Sequence, residues 1–374
     1  MKIVDVQPML VGTPRRQDFY YLFVKLVTDE GVEGIGEWST CQTGREEVRV
    51  QVIENLGKKF VIGADPFRIE SLWQKIYATD HDWRHPGLYS TPALSAIEIA
   101  CWDIVGKALK QPIYNLLGGM YHEKLIHYAY MPFDVRRQTP EEAGPIAAEL
   151  VKQGYTACKF DPFPPINMVR DVPLKEITRA AAICKSIRDA VGDDLEIGIG
   201  THGQFTTYSA IRVAKILEPY QIAWFEEPVM LENVEEMARV AAHTSIPIAT
   251  GERLLTKYEF VEILTKQAAQ ILQMDVGHCG GILEAKKIAS MAEAHYAGIS
   301  PHMACAPVAA AAAIQVDTCS PNFIRQEYNP VGIEAELFRT SLQFERGYII
   351  PPTGPGLGIE LDEDYIAEHP YTPK

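Results

Sequence analysis

Ile222-Ala-Trp-Phe-Glu-Glu-Pro228 is a short apolar run that stops abruptly at two carboxylates. Such a run between polar boundaries reads as a fully buried strand, and Pro228 bars the strand from continuing. Side chains alternate along a strand, so Glu226 and Glu227 face opposite sides. Negative charge at the rim of a hydrophobic sheet is costly unless a cation faces it. The run therefore predicts either one ion pair or one spoke of a larger polar site.

Working outward, the same pattern recurs. Strand-like runs at 125–131, 155–160, 195–199, 222–225, 246–249, 269–274, 298–300 and 323–324 alternate with amphipathic helical segments such as 145–153, 174–191 and 208–217. Alternating strands and helices predict a parallel sheet, and eight such strands predict a closed barrel. Polar residues follow the strands at Lys159 and Asp161, then at His202, Glu226, Glu252, Asp275, His302 and Glu327. Positions 200, 226, 252, 275, 302 and 327 are spaced by 26, 26, 23, 27 and 25 residues, one strand–helix unit per step. All C-terminal strand ends of a barrel open on one face. The spacing thus predicts one convergent site rather than separate ion pairs beneath loops.

The chain before this region reads differently. A strand over 2–11 and a hairpin over 20–38 precede helical patterns at 45–59, 67–79 and 92–109, and Gly118-Gly119 punctuates the end. The expected organisation is an α+β unit over residues 1–124 and a barrel over 125–344. A turn-rich segment over 345–374 is expected to return to the first unit.

Composition bounds the function. A formal net charge of −14 argues against nucleic acid or an anionic membrane as partner. No run approaches the length of a membrane span, and Met1-Lys-Ile-Val-Asp-Val6 does not open like a signal peptide. Seven scattered cysteines without a CxxC pair fit free thiols in a reducing compartment, so a cytoplasmic protein is expected. Gly198-Ile-Gly-Thr-His-Gly203 matches the dinucleotide fingerprint and raises an NAD-type dehydrogenase as a minor alternative. Its mid-chain place, the bulky His202 in the turn and the acids recurring on every later strand weigh against that reading.

Taken together, these stretches resemble the enolase superfamily, in its mandelate racemase-like branch, and within it the galactonate dehydratase type of sugar-acid dehydratase. The resemblance is carried by Ala96-Ile-Glu-Ile-Ala-Cys-Trp-Asp-Ile-Val-Gly-Lys107 and Leu116-Leu-Gly-Gly119. In the barrel it rests on Thr201-His-Gly203, Phe225-Glu-Glu-Pro228, Ala249-Thr-Gly-Glu-Arg253, Gln273-Met-Asp275, Pro301-His302 and Gln326-Glu-Tyr328, followed by Pro352-Thr-Gly-Pro-Gly-Leu-Gly-Ile-Glu360. It implies an α/β fold, a modified TIM barrel of the (β/α)7β kind with an α+β capping domain. It also implies Mg2+-dependent removal of a proton α to a carboxylate. Glu226 and Glu252 match metal ligands, and His302 with Asp275 matches a general base and its orienting acid. His202 matches the acid that protonates a departing hydroxyl. Glu327 matches a carboxyl that binds the substrate carboxylate and would have to be held protonated to do so. Lys159 would neutralise that carboxylate or act as a second base, with a salt bridge to Asp161 as the alternative. Arg84 resembles a residue near the substrate.

One position departs from the pattern. The third metal ligand is normally an Asp two residues before the His of Thr201-His-Gly203, and here that place is Gly200. Asp161 on the adjacent strand is expected to supply the missing oxygen, with His202 or water as alternatives, because a hard cation prefers oxygen. The resemblance implies dehydration of an aldonic acid to a 2-keto-3-deoxy acid. Racemisation, epimerisation or cycloisomerisation through the same enediolate, and a catalytically silent binding protein, are the competing readings. A homo-oligomer, dimer or octamer, with a small sugar acid as its partner, completes the expectation.

Overall fold

The computed structural model describes residues 1–13, 19–39, 45–78, 85–166, 168–303, 306–328 and 335–372. The chain opens with an antiparallel meander of β1 (Ile3–Gly12), β2 (Tyr20–Thr28) and β3 (Glu33–Glu37). Helices α1 (Glu46–Leu56), α2 (Ile69–Tyr77) and α3 (Ser90–Leu109) follow, with the single turn α4 (Ile113–Leu116). An apolar surface on all sides predicts a helix enclosed by other elements, and α3 is buried along nearly its whole length.

The barrel then runs in strict alternation: β4 (Leu125–Tyr130), α5 (Ala143–Gln153), β5 (Ala157–Phe160), α6 (Leu174–Val191), β6 (Glu196–Gly200), α7 (Thr207–Leu217), β7 (Ile222–Glu226) and α8 (Val234–Ala241). It continues through β8 (Ile248–Thr250), α9 (Thr256–Thr265), β9 (Ile271–Leu272), α10 (Ile282–Ala294), β10 (Gly298–Ile299), α11 (Pro307–Thr318) and β11 (Gln326–Glu327). Neighbouring strands from β4 to β10 pair in parallel and in order. β11 closes the ring on β4 through Gln326↔His127 and Glu327↔Tyr128, while Phe323 bridges to Ile299. The eighth strand thus lies later than the 323–324 run. That apolar pair makes the seam with β10, and the polar residues after it make the ladder.

The glycine-rich turn of the dinucleotide reading does not exist. Gly198 is inside β6, and a side chain there would collide with the Trp224 ring. The glycine makes room for an indole inside the barrel, and the sheet is a barrel rather than a doubly wound one.

After β11 come β12 (Phe338–Thr340), β13 (Gln343–Glu345), β14 (Tyr348–Ile350), β15 (Glu360–Leu361) and α12 (Glu363–Glu368). β14 adds antiparallel to the outer part of β4. The chain then crosses to α3, where the buried Asp103 carboxylate gathers three donors. They are the Leu357 N–H at 2.9 Å, the Ile35 N–H at 3.0 Å and the Lys107 ammonium at 2.7 Å. One side chain therefore ties the meander, the central helix and the C-terminal segment together.

The two units dock through similar contacts. Glu98 on α3 accepts the Ile282 and Leu283 N–H groups at the start of α10, at 2.7 and 2.9 Å. Glu37, at the end of β3, accepts the Val308 and Ala309 N–H groups at the start of α11, at 2.7 and 3.0 Å. Each carboxylate satisfies otherwise unpaired helix N-terminal donors and complements the helix dipole. Cys101, Cys158, Cys184, Cys279 and Cys319 are buried free thiols. Among the described residues, no helix is long and apolar enough to cross a membrane.

Two outcomes follow for stability. Asp103→Ala strips three donors of their buried acceptor and is expected to cost about 3–5 kcal/mol in urea unfolding, with Asp103→Asn losing less. On the outer face of β4, His127 sits edge-on against Tyr155 and Phe344, and its Nδ1 has no hydrogen-bond partner among the described residues. Burial pushes its pKa down to about 4, below the value of about 6.5 for an exposed imidazole. Its stabilising effect is thus complete above about pH 6.5 and lost as pH falls towards 4, by up to roughly 3 kcal/mol. Melts across that range should show a steeper loss in wild type than in His127→Phe.

Candidate active site

All the strand-end residues singled out from the sequence lie at the C-terminal end of the barrel, on the side that meets β3. Lys159, near the end of β5, is buried, and its Nζ is 2.7 Å from Glu226 Oε1 and 2.7 Å from Glu327 Oε1. The rings of Tyr128 and Tyr130 each lie 5.7 Å from the ammonium. Burial opposes charge on Lys159, but the two carboxylates outweigh it and hold its pKa well above the usual lysine range. The alternative bridge from Lys159 to Asp161 is not formed, because two better-placed acids occupy the ammonium.

Glu226, the last residue of β7, takes two further donors on Oε2: the Gln273 amide at 2.6 Å and the Trp224 indole N–H at 3.2 Å. Burial again works against its charge, but Lys159 and these hydrogen bonds hold the carboxyl below its ordinary range. Glu227 turns the other way, as alternation requires. It sits in the left-handed region at φ 44° and forms a two-pronged pair with Arg253, at 3.3 and 2.7 Å. Glu226 faces the site and Glu227 anchors the turn beside it.

The turn over Thr201-His-Gly203 rests on the same strand end. The Thr201 hydroxyl is 2.9 Å from the Glu226 carbonyl and 2.8 Å from the Glu227 carbonyl, and Gly203 donates its N–H to Glu227 at 2.7 Å. His202 holds φ 51° at the apex, half exposed, with Nδ1 3.6 Å from Asp161 Oδ2.

Across the barrel, His302 Nδ1 is 2.8 Å from Asp275 Oδ2. Asp275 also accepts the Ser39 hydroxyl at 2.7 Å and the Gly277 N–H at 2.9 Å. With Nδ1 bonded to the carboxylate, Nε2 is the ring atom left for chemistry. It lies 3.6 Å from Glu252 and 3.9 Å from Glu327. Burial resists charge on the ring, but Glu252, the bond to Asp275 and Glu327 push its pKa up to about 10. Of these, Glu252 is the largest influence favouring the charged ring. Glu327 accepts from Lys159 on one oxygen and from the Met303 N–H at 3.1 Å on the other.

A divalent cation can be tested against this donor set. Among the described residues, no three His, Cys, Asp or Glu side chains stand close enough together to hold a metal ion as they are. The chemistry nonetheless fits, since Asp161, Glu226 and Glu252 offer only oxygen, as hard cations require. Asp161 Oδ1 is buried without a hydrogen-bond partner among the described residues. A Cβ built on Gly200 would run into that same oxygen. The Asp161 carboxylate thus fills the space that a side chain at 200 would use. Glu226 Oε1 is taken by Lys159, so a cation there must displace one ammonium contact.

Arg84 lies outside the described residues. Sequence reading missed Tyr130, whose hydroxyl donates to Asp161 Oδ2 at 2.8 Å, and Ser39. Tyr130 ends its strand as the other site residues end theirs, and that position was the available signal. Ser39 carried none.

Residues 2–118 match the family described as mandelate racemase / muconate lactonizing enzyme, N-terminal domain, and residues 144–365 match the family described as enolase C-terminal domain-like. A D-galactonate dehydratase of Ralstonia pickettii (strain 12J) is 38% identical over 360 residues, covering 93% of this chain and 90% of that protein. The D-galactonate dehydratase of Cronobacter sakazakii (strain ATCC BAA-894) is 36% identical over 355 residues, covering 92% and 90%. A solved mandelate racemase/muconate lactonizing enzyme-like protein from Roseovarius sp. TM1035 superposes with a TM-score of 0.94 at 39% identity, covering 100% of this chain and 96% of that one. With both halves of the chain matched, a closed barrel and a capping meander, the protein belongs to the mandelate racemase/muconate lactonizing enzyme family of the enolase superfamily.

Proposed function

We propose that this enzyme is a Mg2+-dependent hydro-lyase that converts an aldonic acid to its 2-keto-3-deoxy acid. The observation that carries the reading is the placement of the His302–Asp275 pair opposite His202, with Glu226, Glu252 and Glu327 between them. The relatives named D-galactonate dehydratase support the substrate class.

Glu226, Glu252 and Asp161 would hold the Mg2+, which supplies fixed positive charge for the enediolate when bound. Lys159 and Glu327 receive the substrate carboxylate end, the ammonium neutralising it. His302 Nε2 takes the proton from C2, and the C–H electron pair becomes the double bond of the enediolate. As that bond moves on, the C3–O bond breaks and His202 gives its proton to the departing hydroxyl, releasing water. The resulting enol tautomerises to the 2-keto acid. β6 and β10 are the third and seventh of eight strands and stand half a turn apart. Base and acid therefore approach from opposite sides, which suits anti elimination.

Racemisation or epimerisation would run through the same enediolate with a second base at the strand-two position, and the measurements below separate it from dehydration. In a screen of sugar acids, wild type should form a 2-keto-3-deoxy product, lose that activity with EDTA and regain it with Mg2+. His302→Asn should lower kcat by about 10²–10⁴ and abolish solvent deuterium exchange at C2. His202→Asn should lose dehydration yet keep that exchange. A wild type that exchanges the C2 proton without ever releasing water would replace the dehydratase reading with epimerisation. One that does neither would leave a binding protein.

A further inference from the structure

Asp161 comes just after β5, where the backbone ladder has ended. Its side chain is therefore not oriented by the sheet. Its nearest cation along the chain is Lys159, two residues back. Free to turn, the carboxylate would be drawn to that ammonium, but it is not. Tyr130, the last residue of the adjacent β4, donates its hydroxyl to Oδ2 at 2.8 Å. Tyr130 and Lys159 are direct partners across the parallel pair, so the phenol arrives from the strand that flanks Asp161. With Oδ2 held by Tyr130 and 3.6 Å from His202 Nδ1, Oδ1 is left buried and unpartnered among the described residues, against the bare backbone of Gly200.

We infer that Tyr130 is the positioning residue of this displaced carboxylate, fixing Asp161 so that Oδ1 serves a cation while Oδ2 serves His202. The inference rests on the cation-dependent reading of the site proposed above. Tyr130 and Asp161 together replace a side chain at position 200. An acid on β6 would be held in place by its own strand, whereas one lying beyond β5 needs an external donor. Removing an outer partner of a metal ligand typically weakens metal binding by about 10–100-fold.

The test uses the full chain without substrate and Mn2+ as the probe, followed by calorimetry and by the electron paramagnetic resonance of free Mn2+. Tyr130→Phe should bind Mn2+ about 10–100-fold more weakly than wild type while keeping its melting temperature. A second arm moves the acid back to β6 with Gly200→Asp combined with Asp161→Gly. In that background Tyr130→Phe should change Mn2+ affinity little, because no Asp161 remains to be held. If the double variant fails to fold, Asp161→Ala serves as the background. Unchanged affinity in Tyr130→Phe overturns the inference, and so does an equal loss in both backgrounds, which marks a merely structural tyrosine. A wild type that binds Mn2+ and keeps its affinity in Asp161→Asn also overturns it, while leaving Glu226 and Glu252 as ligands. A wild type that binds no Mn2+ removes the cation-dependent reading itself, and the role of Tyr130 with it.

Discussion

The Lys159 ammonium between Glu226 and Glu327 is the contact on which the rest of the barrel mouth depends. Three charged groups from the second, fourth and eighth strands meet there almost without solvent. None could be buried alone, since an unpaired charge in such a place costs several kcal/mol. Together they leave a modest net charge that Gln273, Trp224 and the Met303 N–H distribute further. The arrangement draws the first and last strands of the barrel towards its middle, because Glu327 lies on β11 and β11 pairs with β4. It also sets the electrostatic problem of the site. The acids that suit a cation are already partly neutralised by a lysine, so cation binding and the lysine contact compete for Glu226.

Next to that contact, the Asp161 carboxylate occupies the space beside Gly200. A side chain at position 200 and the Asp161 carboxylate claim the same volume, so an acid at 200 cannot coexist with this Asp161 rotamer. Placing the acid past the end of β5 brings it within 3.6 Å of His202 and within hydrogen-bond reach of Tyr130. The result is a rough half-turn relation around the barrel. Asp161 and His202 follow strands two and three, and Asp275 and His302 follow strands six and seven. The second pair is hydrogen-bonded and largely enclosed, and the first is looser, with His202 half exposed.

The capping unit does more than roof the site. Its β3 edge reaches the barrel twice within three residues, through Glu37 on the start of α11 and through Ser39 on Asp275. The hydroxyl of Ser39 shares the Asp275 oxygen that holds His302, so the seating of the cap and the orientation of the imidazole are physically linked. Glu98 and Asp103 on α3 do the equivalent work at the far side, using buried carboxylates to collect backbone donors from both units.

The barrel and the membership of its mouth were legible in the sequence, because both are periodic. Strand–helix units of nearly constant length repeat from Gly200 to Glu327, and a polar residue at each strand end has few places to go but the common face. The split between Glu226 and Glu227 followed from strand alternation alone. What the periodicity could not decide was who pairs with whom. Lys159 and Asp161 are near neighbours in the chain, yet they part because residues 67 and 168 positions away offer Lys159 better geometry. The contact of Glu327 with Lys159, the glycine at 198 making room for Trp224 and the donors from Tyr130 and Ser39 all depend on distances between strands. No pattern along one strand carries that information. Local sequence dictates which face a side chain takes, through the two-residue period of a strand. Only closure of the barrel brings those faces to within hydrogen-bond range and so decides charge, partner and role.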